Sequence, residues 1–350
     1  MLSRLAAARP LRVWVVLFLG VVTALALPSA RTALAADSAT STAATAEVAK
    51  SNLDRILTGA TPMGVADLKA MQEQVRQLTD KLMQCTVGVE VGPAQGSGVI
   101  ISKDGYVLTA AHVAGRPKHD VVFKLSDGRM LRGKTLGLNR TLDAGLMKID
   151  GVDDLPFAEM GAAELKLGQW CLATGHPGGY QDDRKPVLRL GRVQWAEPTA
   201  ITTDCTLVGG DSGGPLFDLQ GRVVGINSRI ASEIRANMHV PVAAFKETWD
   251  RLNKSEAWGY YPGNEPAIGV VKDTNATDAR VADVKSDSPA AKAGLKAGDI
   301  IVKFDGIEVK DFDALITVVE EHQPGDRVNL VVKRGEETKE LSLKIGKKGG

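Results

Sequence analysis

Three settings in this chain hold residue types that could together carry out acyl transfer. The first is Gly209-Gly210-Asp211-Ser212-Gly213-Gly214-Pro215-Leu216. A serine in such a turn can hold its hydroxyl toward a substrate. The backbone N–H groups around it can then face the oxygen that becomes negative when the hydroxyl attacks a carbonyl. Glycines on both sides permit positive φ and close approach of the main chain. On this reading the N–H groups of Gly210 and Ser212 form an oxyanion hole. A serine nucleophile needs a base, and the base needs an orienter. His112, in Thr109-Ala110-Ala111-His112-Val113, ends the apolar run Tyr106-Val107-Leu108, where a buried strand would meet a loop. Asp143 heads the run Ala144-Gly145-Leu146-Met147-Lys148-Ile149. A carboxylate there can accept from the imidazole Nδ1–H, fix the tautomer and stabilise the imidazolium. Each setting alone also fits a plain role, as a Gly-rich turn, a core histidine or a strand-capping aspartate. Their combination points to chemistry.

The elements that would position these residues are short strands between Gly-rich turns. They are read at 86–91, 98–102, 106–109, 121–125, 145–149, 170–174, 188–193, 215–217 and 223–228. Runs this dense without long helices predict a mainly β fold of two barrels. His112 and Asp143 fall on the first barrel and Ser212 on the second, with the site in the cleft between them. Residues 241–252 have helical spacing and close the domain, read as 85–253. The 37 glycines among 350 residues suit a turn-rich β architecture, and the length allows two cores. A formal net charge of +1 gives no electrostatic reason to expect nucleic acid as a partner.

Ahead of this domain, Arg4, Arg9 and Arg12 precede an apolar run, 13–27, and the small-residue site Ala33-Leu34-Ala35. Residues 1–35 read as an export signal cleaved before Ala36, or alternatively as a retained anchor, and place the protein in a periplasm or otherwise outside the cytoplasm. Residues 36–62 read as a flexible tether rich in Ala, Ser and Thr near its start. In 63–84, Leu68, Met71, Val75, Leu78 and Leu82 recur at helical steps. That stripe packs either on the chain's own core or against other copies. After the first domain, 254–265 reads as a linker and 266–346 as a second, α+β domain. The helix 312–321 takes Asp311 as its N-cap.

Residues 85–345 resemble the HtrA (Deg) family of extracytoplasmic serine proteases. The resemblance rests on Gly96-Ser97-Gly98-Val99-Ile100-Ile101, the strings around His112 and Asp143, Thr203-Asp204 leading into 209–216, and Gly225-Ile226-Asn227-Ser228. The order His112, Asp143, Ser212 is that of the chymotrypsin-like solution. In the second domain, Ser286-Asp287-Ser288-Pro289-Ala290-Ala291-Lys292-Ala293-Gly294-Leu295 followed by Lys296-Ala297-Gly298-Asp299-Ile300-Ile301 resembles a PDZ string. The resemblance implies a chymotrypsin-like double β-barrel followed by one PDZ domain. It implies ATP-independent cleavage of misfolded exported proteins, with no cofactor and no metal, and a homotrimer as building block. A PDZ domain binds a peptide C-terminus as an added strand. Ala267-Ile268-Gly269-Val270 would hold its carboxylate and select an apolar last residue, unless the domain serves only as a spacer. The competing reading is a PDZ-bearing binding module or holdase with a latent centre.

Two departures bear on mechanism. The family usually has Asn before the nucleophile, where this chain has Asp211. In digestive trypsin-like enzymes that acid pairs with an N-terminus made by cleavage, and nothing near Cys85 resembles such a site. Asp211 therefore requires another partner. Gly175-His176-Pro177-Gly178-Gly179 replaces a Gly-Asn-Pro segment, and the charged stretch 180–186 after it reads as a regulatory or merely solvated loop. Thr206 is neutral where an acidic S1 base would sit. Leu207, Ile226 and Asn227 predict a shallow apolar S1 pocket and cleavage after small or medium aliphatic residues. The three cysteines, Cys85, Cys171 and Cys205, leave at least one thiol unpaired, and no two have metal-ligand spacing.

Overall fold

The structure, a computed structural model, describes residues 53–161, 165–230 and 236–349. The export signal and most of the tether lie outside the described residues. Helix α1, Val65–Cys85, opens with Gly64 and has no side-chain cap. Asp67 in its first turn compensates, accepting from the Met63 N–H at 2.7 Å and from Arg55 at 2.8 Å. Met71 and Leu82 are buried, and Val75 and Leu78 pack against the core cluster that holds Phe217, Leu219 and Val223. The stripe from Met71 to Leu82 thus seats on the chain's own core, while Leu68 is about half exposed. Gln74 Nε2 fastens it, donating to the Leu219 carbonyl at 2.7 Å.

The first barrel comprises β1 (Thr86–Val91), β2 (Ala94–Ile100), β3 (Tyr106–Ala110), β4 (Asp120–Lys124), β5 (Met130–Asn139) and β6 (Ala144–Ile149). The one-turn helix α2, Ala111–Ala114, follows β3. The sheet order is β5-β4-β1-β2-β3-β6, and pairing of β5 with β6 closes the ring. Val87, Val89, Val107, Phe123 and Met147 fill it. The second barrel comprises β7 (Trp170–Gly175), β8 (Val187–Glu197), β9 (Ala200–Thr203), β10 (Pro215–Asp218), β11 (Val223–Ile230) and β12 (Asn237–Pro241), closed in the order β10-β11-β12-β9-β8-β7. Three of these strands are missing from the sequence reading: β5, β9 and β12. Each is broken up by polar residues or is very short, as in Met130-Leu131-Arg132-Gly133-Lys134-Thr135, so hydrophobic alternation does not mark it. The helical stretch after β12 is two short helices, α3 (Val242–Glu247) and α4 (Trp249–Asn253), parted at Thr248.

Within 254–265, the segment read as a linker, β13 (Ala257–Trp258) adds to the first barrel's sheet, pairing in parallel with Leu138 and Asn139 of β5. Arg140 N–H continues the ladder to the Trp258 carbonyl at 2.9 Å, and Tyr260 N–H reaches Thr141 Oγ1 at 3.2 Å. The second domain has its own core, including Val281, Ile301, Phe304, Leu315 and Leu330. Its elements are β14 (Pro266–Ala267), β15 (Val270–Lys272), β16 (Val281–Val284), α5 (Pro289–Lys292), β17 (Ile300–Phe304), β18 (Ile307–Glu308), α6 (Phe312–Glu320), β19 (Arg327–Arg334), β20 (Glu337–Lys344) and β21 (Gly346–Lys347). Asp311 Oδ1 caps α6 by accepting from Ala314 N–H at 2.8 Å. The end of α6 is tied back to the first domain. Gly259 N–H donates to the Glu321 carbonyl at 2.7 Å, and Arg251 of α4 pairs with the Glu321 carboxylate at 3.2 Å.

Candidate active site

Asp143 stands in the turn between β5 and β6 with a left-handed φ of +63°. A non-glycine residue holds that conformation only where its surroundings fix it. Here they do. Its carbonyl accepts from Ala111 N–H at 3.0 Å and its Oδ1 from the His112 N–H at 3.0 Å. The same carboxylate meets His112 Nδ1 at 2.9 Å through Oδ2. Ser228, on β11 of the other barrel, donates its hydroxyl to Oδ2 at 2.5 Å. Burial alone would raise the Asp143 pKa, but the hydrogen bonds and charge of His112, with Ser228, outweigh it and hold the group below the ordinary carboxylate range. Asp143 is therefore an anion, and the nitrogen of His112 turned away from it is the basic one.

Ser212 lies two residues after Gly210, which has φ +93°, and directly precedes Gly213, which has φ +85°. A Cβ at Gly210 would overlap the His176 carbonyl, and one at Gly213 would overlap the Ser97 carbonyl and Thr109 hydroxyl. Both positions thus need glycine for conformation and for space. The first barrel grips this loop through Ser97. Its N–H donates to the Ser212 carbonyl at 2.8 Å, and its hydroxyl donates to the Gly210 carbonyl at 2.8 Å and accepts from His176 N–H at 2.9 Å. With those carbonyls turned toward Ser97, the N–H groups of Gly210 and Ser212 make no hydrogen bond among the described residues. Ser212 Oγ lies 3.4 Å from the Ser228 carbonyl, a long contact, and no hydrogen bond joins it to His112 among the described residues. Ser228 therefore touches both ends of the set, its carbonyl near Ser212 and its hydroxyl on Asp143. Ser97 and Ser228 lie in strings noticed in the sequence, but the spacing gives no sign of either role.

The acid beside Ser212 has a partner. Asp211 is fully buried, and Arg189 on β8 lies 2.9 Å from its Oδ2 and 3.3 Å from its Oδ1. Val208 N–H donates to Oδ2 at 2.9 Å. Burial nevertheless wins over these contacts and raises the Asp211 pKa.

The residues expected to form S1 do not gather into one opening. Leu207 packs in the second barrel's interior with Cys171, Ala173 and Leu216. Ile226 belongs to a different cluster with Phe217 and Val240. Asn227 is buried and structural: its amide donates to the Thr174 and Asp211 carbonyls at 2.9 and 3.2 Å, and His239 bonds its Oδ1 at 3.0 Å. The physical reason is strand alternation, since adjacent residues of β11 face opposite sides. Half-exposed apolar side chains in the same two segments are instead Val208, four residues before Ser212, and Ile230, two residues after Ser228. All three cysteines are buried thiols, with Cys171 Sγ and Cys205 Sγ 3.8 Å apart.

His176, directly behind Gly210, is fully buried, and neither ring nitrogen has a hydrogen-bond partner among the described residues. Burial, with a lesser push from the Arg184 charge, lowers its pKa from 6.5 to about 4. His239 is lowered by burial to about 3. In the unfolded chain both take a proton near pH 6.5. Between that value and the folded pKa the unfolded state binds more protons, so stability falls as pH drops through that window. The loss for His176 alone is about 3 kcal/mol once pH is below its folded pKa. The urea midpoint is expected to decline steadily from pH 7 to pH 4.5, and His176→Phe should flatten part of that decline. A His176→Phe variant with the parental pH slope would contradict this.

In the second domain a groove of about 390 Å³ runs between β15 and α6, lined by Ile268, Val270, Phe312, Leu315, Ile316 and Val319. Ala267 is at its edge in β14, paired with Gly346. The N–H groups of Ile268 and Gly269 make no hydrogen bond among the described residues. Gly269, at φ +82°, lets the loop pass against Ser288 where a Cβ would collide.

Residues 96–226 match the family model for a trypsin-like peptidase domain, and residues 266–345 match that for a PDZ domain. Among curated proteins, the "Probable periplasmic serine endoprotease DegP-like" of Halomonas elongata is 34% identical over 270 residues, covering 72% of this chain and 56% of that one. The protein of the same name from a Marinomonas species is 35% identical over 276 residues, covering 71% and 56%. The chain thus spans about half the length of the curated relatives it matches. Among solved structures, the serine endoprotease from Yersinia pestis aligns with 82% of this chain and 99% of its own, at 22% identity and a TM-score of 0.49.

Proposed function

The chain belongs to the HtrA-type, DegP-like serine endoproteases, with a trypsin-like peptidase domain and one PDZ domain, and from this we propose that it is an ATP-independent endopeptidase working through Ser212, His112 and Asp143. The observation that carries the reading is the bridge made by Ser228, which joins the His112–Asp143 pair on one barrel to the Ser212 loop on the other. His112 Nε2 takes the Ser212 proton as Oγ attacks the peptide carbonyl. The N–H groups of Gly210 and Ser212 receive the oxyanion. His112 then protonates the leaving amine, and water resolves the acyl-enzyme by the same route in reverse. Asp143 and the Ser228 hydroxyl position the imidazole. Val208 and Ile230 offer the apolar surface for the residue before the scissile bond, which fits cleavage after small or medium aliphatic side chains. A peptide-library digest dominated by Arg or Lys at that residue would refute this preference.

The substrates in this reading are unfolded or misfolded exported proteins in a periplasm or comparable compartment, supported by the relatives named periplasmic. The PDZ groove takes an apolar peptide C-terminus, its carboxylate on the N–H groups of the 267–270 loop. The working form is a homotrimer, for which light scattering of the purified chain is the check. Exposed Met63 and Val65 at the start of α1 leave apolar surface for it.

One observation favours a second reading. Ser212 Oγ contacts the Ser228 carbonyl and not His112, as in a centre at rest. That fits a PDZ-gated protease, or a binding module with a latent centre. The test is labelling of the mature chain with a fluorophosphonate, with and without a peptide ending in an apolar residue. Labelling at Ser212 in either condition supports the protease. Labelling only with peptide supports gating. No labelling of a folded, peptide-bound chain would overturn the proposal in favour of the binding module.

A further inference from the structure

We propose that Arg189 is a positioning residue that holds the oxyanion loop in its working shape through Asp211, so that the centre is assembled within the uncut chain. The inference rests on the reading of Ser212 as nucleophile.

The loop from Val208 to Gly214 has few internal bonds of its own. Asp211 N–H closes a turn on the Val208 carbonyl at 3.1 Å, and Gly214 N–H bonds the Asp211 carbonyl at 2.9 Å. Ser97 holds the loop from the first barrel, the Gly213 N–H bonds the Asn227 carbonyl at 2.7 Å, and the one side chain of the loop itself that anchors it to the second barrel is Asp211. One carboxylate oxygen takes the Val208 N–H at the loop's entry, and both take the Arg189 guanidinium from β8 beneath it. Asp211 lies between the two residues whose N–H groups are free to receive an oxyanion. Rotating its side chain out of this seat would turn both adjoining peptide planes. A guanidinium suits the task, since its fork can hold both carboxylate oxygens and remains charged at any working pH.

The seat is also dry. Asp211 is fully buried, and Arg189 itself is only 17% exposed. A carboxylate in such a place is stable only while paired, and removal of the partner leaves an uncompensated charge that the loop can relieve by swinging outward. Arg184, a second cation that acts on Asp211, is already engaged with the Pro177 and Gly179 carbonyls. No second guanidinium reaches Asp211 by hydrogen bond among the described residues. Leu188 and Leu190 beside Arg189 give no hint of its role, and only the burial of an acid two barrel strands away exposes it.

The decisive experiment compares the parent chain with Arg189→Met, Asp211→Asn and the double variant, reading kcat and KM on one peptide and the rate of fluorophosphonate labelling. Arg189→Met should lower kcat by about 10²–10³-fold, the scale of losing an oxyanion donor. KM should stay within a few-fold, because the substrate-contacting surface is not touched. The double variant should regain most of the lost kcat. A neutral Asn can still accept from the Val208 N–H and leaves no charge in the dry seat. If Arg189→Met fails to fold, the double variant against Asp211→Asn alone still decides the matter, because matched activity in those two means that Arg189 acts only through the acid. Parental kcat in a folded Arg189→Met overturns the proposal, as does a double variant that is folded, far below Asp211→Asn and no better than Arg189→Met. Absence of labelling in the parent itself would instead strike at the reading of Ser212, and is seen before any Arg189 variant is made.

Discussion

Ser212→Ala is expected to lower kcat on a cleavable peptide by about 10⁴–10⁶-fold while leaving the fold intact. The hydroxyl has only the long contact to the Ser228 carbonyl, so its loss strands no strong hydrogen bond. The loop is held instead by Ser97, by the Asp211–Arg189 pair and by two glycines with positive φ, none of which the substitution touches. The two free N–H groups remain, and a residual rate above that of water should therefore persist. Thermal unfolding of the variant should shift little, since no buried partner is lost. A folded Ser212→Ala with near-parental cleavage would remove Ser212 from the mechanism altogether.

Asp143→Asn should cost about 10⁴-fold in kcat, for a reason visible in the donor count. Three donors converge on the Asp143 carboxylate: the His112 N–H, the His112 ring at Nδ1 and the Ser228 hydroxyl. An amide has one oxygen and would turn its NH₂ toward one of them. If it faces the ring, His112 must present a bare Nδ1 and carry its proton on Nε2, where it cannot accept from Ser212. Asn tolerates the left-handed φ that Asp143 adopts, so the turn should survive and the change should be electronic rather than structural. Melting temperature together with kcat over a pH series measures both. A variant within tenfold of the parent would show that Asp143 does not set the tautomer.

What the sequence made legible were features whose signal is local. The Gly-rich turn around Ser212, the apolar runs that flank His112 and Asp143, and the short strands are each written in residues a few positions apart, and the double-barrel fold follows from them. Asp311 as the cap of α6 is equally local, a side chain bonding an N–H three residues on. What stayed hidden depends on contacts between distant strands. Arg189 is an unremarked cation on β8 until the buried Asp211 is set against it. Ser97 and Ser228 stood in quoted strings, but each acquires its role only when one barrel meets the other. The expected S1 group fails for a related reason. Ile226 and Asn227 are neighbours in sequence, and the pleat of β11 sends them to opposite sides, one into apolar core and one under the nucleophile loop.

Strand β13 changes how this protein can be cut and recombined. It is contributed from beyond the second barrel yet completes the sheet of the first, and the residues after it lean on the turn 139–143 that ends in Asp143. A peptidase fragment trimmed at Asn253 would leave Leu138 and Asn139 unpaired on their β13 side and would remove the Tyr260 N–H bond to Thr141 in that turn. A chimera carrying a foreign PDZ domain should therefore be spliced after Tyr261. Glu256, Trp258 and Tyr260 bond to β5 and its turn, so such a splice keeps them with the peptidase domain and gives up the Gly259 N–H bond to the Glu321 carbonyl.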